Sequence, residues 1–372
     1  MLEDFFPQGL ALGDNFCNRV DEQARLTHDI ALTKPVLVIS PRRYGKTSLI
    51  LTVLHKMGLP FACMDLYSHL NEVEVQNAIL SAVGDILYAL ESTPKKALQF
   101  VTDFFSDVSI NFKFSNAQIR VDFAQNKQSP AKTVLSVLQK LDGILKKKNK
   151  KAVLFFDEFQ RLCQITDNAA LEGTIRNVAQ ESKHISFVFS GTNRHLLAQM
   201  FDDRAKPLYK LCDRVTLDRM QKEHYLPFMQ LKAKLQWKQL LDEEVVDAIL
   251  EWTQSHPYYV NLLCHRLWFA GLTLNLKIVE ASWCSYCFEE KSNVMNELEL
   301  LSGNQGKMLM AIAKYGDYAP PMSGEFLGLA QFSSSSASQA VQALHKKDYL
   351  YLDEQGRYHV LDPMVKYLFS AS

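Results

Sequence analysis

At 372 residues with a 47% hydrophobic share, the chain has the length for two or three domains of about 150 residues and ample material for their cores. Lysine plus arginine and aspartate plus glutamate balance at 41 each, so no global basic field calls for nucleic acid. Seven scattered cysteines, odd in number, argue against a disulfide framework and fit free thiols in a reducing cytoplasm.

The opening MLEDFFPQGL lacks the basic start and apolar stretch of a signal peptide. No apolar run nears the roughly 18 residues of a membrane span, so a cytoplasmic chain is expected. Residues 21–32 read as a short helix leading into an apolar strand, Val36–Ile39. A loop with Gly45-Lys46-Thr47 follows, then an amphipathic helical run over 47–57. Residues 61–66 are the next strand, and 73–90 have helical spacing. Then the period changes: Ile110, Phe112 and Phe114 alternate with polar residues, as do Ile119, Val121 and Phe123 after a Ser-Asn-Ala-Gln turn. That predicts a β-hairpin inserted at about 108–124.

Residues 131–145 are helical, and the lysine-rich run 146–151 reads as the solvated end of that helix. Four apolar residues, 153–156, form a buried strand that ends in Asp157-Glu158. A helix at 168–181 and a strand at 185–190 complete the alternation. The pattern predicts an α/β domain over 1–218, a parallel sheet flanked by helices. From about residue 221 only helices appear, at 222–235, 242–253, 258–270 and 279–296, so 219–300 is expected to be an all-α domain. The tail, 301–372, reads as helices at 304–314, 323–328 and 337–346, the last with a serine-rich cap region. Strands at 349–352 and 357–360 then flank a tight turn, the outline of a winged helix-turn-helix.

The chemistry concentrates at strand ends. Strand, Gly45-Lys46-Thr47 loop and helix form the context of a phosphate-binding loop, whose N–H groups and helix start favour phosphate. Lys46 is expected to reach the β- and γ-phosphates, and the Thr47 hydroxyl to ligate Mg²⁺. Ser40 stands where G-x-x-x-x-G-K-[ST] has its first glycine, so a modest strain or loss of affinity is expected there. Asp157, at the end of a central strand, faces the ligand crevice and is placed to hold Mg²⁺, directly or through water. Glu158 is placed to orient or deprotonate an attacking water. The plainer reading, acids opening a helix, competes poorly beside the upstream loop.

Other residues carry two readings. Ser190 and Thr192 hydrogen-bond the γ-phosphate or the attacking water, or they cap a strand-end turn. Arg194 stabilises transition-state charge, or it opens a helix from an exposed position. Arg42 and Arg43 contact phosphate or anchor the loop. The lone Cys284-Ser285-Tyr286-Cys287 reads as helical thiols, because a zinc site needs four ligands.

Together these landmarks resemble the archaeal-type P-loop ATPases of the STAND group, relatives of the AAA+ ATPases. Pro41-Arg42-Arg43-Tyr44-Gly45-Lys46-Thr47-Ser48 matches that family's loop in all but its first residue, and the resemblance makes this stretch the nucleotide cradle. Phe16-Cys17-Asn18-Arg19-Val20-Asp21-Glu22 is similar to the family's box bordering adenine, with Asn18 replacing a glycine; Asn tolerates φ > 0 better than most residues. Asp157-Glu158-Phe159-Gln160 and Phe189-Ser190-Gly191-Thr192 resemble its second motif and sensor strand. His256-Pro257-Tyr258-Tyr259 resembles a lid motif near the base, which implies a nucleotide role for Pro257. A proline at a first helical turn needs no such role.

The resemblance implies ATP and ADP as ligands, with Mg²⁺, a helical lid and a C-terminal winged helix. No Asn-Lys-x-Asp stretch for guanine appears. One reading is therefore a Mg²⁺-dependent ATPase switch with an unidentified protein partner, self-association being a natural output. The alternative is an ATP-regulated DNA-binding protein, but 337–346 offers only Gln339, Gln342, His345 and Lys346 for base reading. A decayed, non-hydrolysing site is a third reading, and the intact Lys46, Thr47, Asp157 and Glu158 oppose it.

Overall fold

The computed structural model describes residues 5–69, 71–106, 110–115, 118–123, 129–165, 169–270, 274–316, 319–353 and 355–370, with 110–115 and 118–123 by backbone alone. They form two compact units. One comprises Arg19–Arg42 and Lys46–Asp218, the other Met1–Asn18, Arg43–Gly45 and Arg219–Ser372.

The first unit is α/β. Its elements run α1 (Val20–Ala31), β1 (Val36–Ile39), α2 (Lys46–Met57), β2 (Phe61–Asp65), α3 (Glu72–Ala89), α4 (Pro94–Phe104), β3 (Ile110–Ser115) and β4 (Gln118–Phe123). They continue with α5 (Pro130–Lys148), β5 (Ala152–Asp157), α6 (Ala169–Glu181), β6 (Ile185–Gly191), α7 (Arg194–Asp202) and β7 (Asp213–Thr216). Five strands make one parallel sheet in the order β2-β5-β6-β1-β7. β5 and β6 are buried along almost their whole length, as their apolar runs require. Phe156, Phe187 and Phe189 stack across these two strands, and Phe159 and Phe201 close over them.

The inserted hairpin is present: β3 and β4 pair antiparallel with Ile110 opposite Phe123, Phe112 opposite Val121 and Phe114 opposite Ile119. The alternating apolar residues thus share one face. Asn116 and Ala117 of the expected turn, and Asn168 of the expected helix start, lie outside the described residues. The lysine run ends α5 as expected: Asn149 caps it in the left-handed conformation, and Lys148 pairs with Glu91 at 2.8 Å.

The second unit contributes α8 (Lys222–Trp237), α9 (Glu243–Trp252), α10 (Pro257–Ala270) and α11 (Leu276–Leu298), with a core around the buried Trp283, Tyr225 and Phe6. α12 (Gly303–Tyr315) starts with a capping box between Ser302 and Gln305. α13 (Gly324–Ala330), α14 (Ser334–Lys346), β8 (Leu350–Leu352), β9 (Tyr358–Val360) and α15 (Pro363–Ser370) complete a winged helix. α14 starts three residues earlier than its apolar spacing predicts, because Ser333 caps it by accepting from Ser336 N. At the wing, Asp353 accepts from Gln355 N and Arg357 N and pairs with the Arg357 guanidinium at 2.8 Å, while Gly356 takes φ 76°. Among the described residues no helix is long and apolar enough to cross a membrane. All seven cysteines are free thiols, and Cys284 and Cys287 are helical.

Candidate nucleotide site

The sheet order assembles the site. β1 lies beside β6 with Ile39 level with Gly191, and β6 lies beside β5. The C-terminal ends of three adjacent strands therefore meet at one edge. They deliver the loop after Ile39, the pair Asp157-Glu158, and Ser190 to Thr192. That edge is where open α/β sheets bind ligands.

The loop turns at Arg43 (φ 63°) and Gly45 (φ 85°), not at Ser40. Ser40 is buried and its hydroxyl donates to Pro41 O at 2.9 Å. The strain expected at Ser40 is therefore absent, because the backbone there does not need the left-handed region that favours glycine. Asn18 does take that region, at φ 49°.

Lys46 opens α2 and is buried. Burial lowers its pKa, opposed by Glu158 and Asp157, which act through space; Arg42, exposed, adds a like charge. An ammonium in this position is stabilised by an added anion, and phosphate oxygens supply one.

Asp157 ends β5 and gathers three donors. Thr47 Oγ1 donates to Oδ2 at 2.7 Å, while Ser190 Oγ and Glu158 N both donate to Oδ1. Glu158 leaves the strand in the left-handed region, at φ 51°, and opens a 3₁₀ turn, Phe159–Gln164. Its Oε2 accepts from Thr192 Oγ1 at 2.9 Å and from Gln160 Nε2. The expected Mg²⁺ fits this donor set. The Thr47 hydroxyl and the Asp157 carboxylate are adjacent hard oxygen donors of the kind that ion takes, and a donating hydroxyl keeps its lone pairs.

The remaining predicted residues fall in both units. Pro41 and Ser48 are buried in the α/β unit. Arg19, also buried, caps α1 at φ 63°, and its guanidinium binds Glu22 at 2.9 Å and Asp218 O at 2.6 Å. Arg194 opens α7 behind the Asn193 cap, half-buried. Arg43, Tyr44 and Pro257 belong to the second unit. There Arg43 lies 4.3 Å from the Tyr258 ring centroid, Tyr44 packs edge-on against His256, and Pro257 is the first residue of α10. Arg219 was not singled out by the sequence. It donates to Tyr44 Oη, Gln254 Oε1 and Leu361 O, and lies over the Tyr351 ring.

His256 carries a testable consequence. Burial, then the Arg219 and Arg43 charges, hold its pKa down at about 3. Its unfolded value is near 6.5, so the folded state binds fewer protons between those values. Stability should therefore be full above pH 6.5 and fall as pH drops, by about 1.4 kcal/mol per unit from this group. Thermal unfolding of wild type and His256→Gln between pH 6.5 and 5 checks it: the variant should show the shallower decline.

A family model described as an ATPase domain predominantly from Archaea matches residues 16–263. The chain belongs to that family. A model of a probable winged helix domain matches residues 293–370. The chain is similar in structure to a Walker-type ATPase of Pyrococcus abyssi, at 17% identity and a TM-score of 0.70, covering 99% of each chain. It is also similar to the ORC2 protein of Aeropyrum pernix, solved as ADPNP–ADP complexes, at 14% identity and a TM-score of 0.59, covering 96% of this chain and 95% of that one. At these identities the likeness is one of fold. No curated protein matches the chain closely enough to count as a relative.

Proposed function

We propose that this chain binds ATP with Mg²⁺ and hydrolyses it slowly to ADP and phosphate, as a nucleotide-driven conformational switch. The observation that carries this reading is the Thr47–Asp157 hydrogen bond, which joins the loop to the acidic strand end beside the buried Lys46. Lys46 and the loop N–H groups would hold the phosphates. Thr47 and Asp157 would hold Mg²⁺, which neutralises phosphate charge when bound. Ser190 would keep Asp157 in place, Glu158 would take the proton of the attacking water, and Arg194 would face the developing charge. Arg19 would border the base.

In this reading 1–218 is the catalytic domain, 219–300 the lid and 301–372 the winged helix that moves. A protein partner, or a second copy, would then receive the signal. The wing argues for a signalling output over DNA binding, since Arg357 is paired with Asp353 and bonded to Gln355. The test is phosphate release from ATP by the full chain with Mg²⁺ and with EDTA. Release that depends on Mg²⁺ is expected; equal release in both, or none with Mg²⁺, would sink the reading.

A further inference from the structure

We infer that Gln160 and Thr192 form a clamp that orients Glu158 for catalysis, a positioning role that rests on the reading of Glu158 as the base for water. Both donors converge on one oxygen, Glu158 Oε2, and they lie 3.4 Å from each other, so the three side chains close a triangle. Among the described residues none of these bonds reaches Oε1, which is thereby left as the oxygen that accepts the proton. The backbone end is fixed too: Glu158 stands in the left-handed region, and its N–H donates to Asp157 Oδ1 at 2.9 Å. A carboxylate held at both ends presents one face and one oxygen.

Packing alone does not account for Gln160. Gln160 is 5% exposed, and its Oε1 is buried with no hydrogen-bond partner among the described residues. A leucine of similar size would fill the space without an unpartnered carbonyl. The amide also lies against Gly191, where any Cβ would run into it. The strand end is thus bare of side chain at the point where the amide reaches across to Glu158. Thr192, one residue on, supplies the second donor. Its hydroxyl is turned to the acid, which gives it a task distinct from reading the γ-phosphate.

The test uses the full chain with ATP and Mg²⁺, and follows kcat, KM, ATP affinity and unfolding temperature together. Glu158→Gln anchors the series as the loss of the base. Gln160→Leu and Thr192→Val should each lower kcat about tenfold, with KM and ATP affinity within about twofold of wild type. Gln160→Leu should change the unfolding temperature little, since the lost bond to Glu158 is offset by removal of an unpartnered carbonyl. The double variant should lose less than the product of the singles, because both donors serve one carboxylate. Thr192→Ser should recover most of what Thr192→Val loses.

If Glu158→Gln is inactive while Gln160→Leu and Thr192→Val keep wild-type kcat, the clamp is wrong and the base reading stands. If Glu158→Gln keeps turnover, or the wild type releases no phosphate, the base reading falls and takes the clamp with it. A rise in kcat on losing either donor would mean that the contact restrains Glu158, and would overturn the proposal. Loss of ATP affinity and stability together would mark a structural role. Should Gln160→Leu not fold, Thr192→Val and Thr192→Ser decide.

Discussion

Glu158→Gln should keep ATP and Mg²⁺ and lose phosphate release by about 10²–10⁴-fold, the range typical of a removed general base. The amide preserves the length of the side chain and can still meet Thr192, so the hydrogen-bonded frame around Asp157 survives. What disappears is an oxygen able to accept a proton. Asp157 is not expected to take over, because in this reading its carboxylate is committed to Mg²⁺ and held in place by Thr47, Ser190 and Glu158 N. Bound nucleotide and released phosphate, measured on the same sample with and without duplex DNA, check this. Tight ATP retention without turnover in wild type as well would move the search to a missing activator.

Lys46→Ala should abolish useful nucleotide binding, raising Kd about 100-fold or more. Two charge-assisted hydrogen bonds to phosphate, at about 1.5–3 kcal/mol each, account for a change of that size. The same substitution should leave the nucleotide-free protein at least as stable, an unusual pairing for a buried residue. In the structure Lys46 is desolvated, and Glu158 and Asp157 oppose that only through space. Removing the ammonium relieves the desolvation, and alanine is the best residue for a helix. Calorimetric titration with ATP and a thermal melt of the apo protein are the two measurements. A drop in unfolding temperature without a loss of affinity would place Lys46 in the fold rather than in the site.

The outline of this site was legible because its parts are local. Val36–Ile39, the Gly45-Lys46-Thr47 loop and the acids after Phe156 each announce themselves within about ten residues, and the parallel sheet follows from alternation. The hairpin was legible for the same reason. β7 was not: of its four residues only Val215 is buried, and it is a strand because β1 pairs with it. α4 and α15 both begin with proline, which reads as a break until the helix beyond it is seen. Ser40 looked like a departure because the pattern counts glycines, whereas the backbone places its left-handed turns at Arg43 and Gly45. The partners of Ser190, Thr192 and Gln160 were out of reach, since which oxygen a hydroxyl or amide meets depends on neighbouring strands. Arg219 was missed because its partners lie 35 to 175 positions away in sequence.

The strand order carries a consequence for how the site comes to be assembled. Thr47 and Asp157 are separated by 110 positions, and the strands that unite them, β1 and β5, are joined only through β6, which is made later than either. A nascent chain therefore holds its phosphate loop and its acidic strand end well before the piece that brings them together. Long-range parallel pairing of this kind is slow to form. Nucleotide has nothing complete to bind until the sheet has closed, so it acts as a lock on the finished fold and not as a template for it.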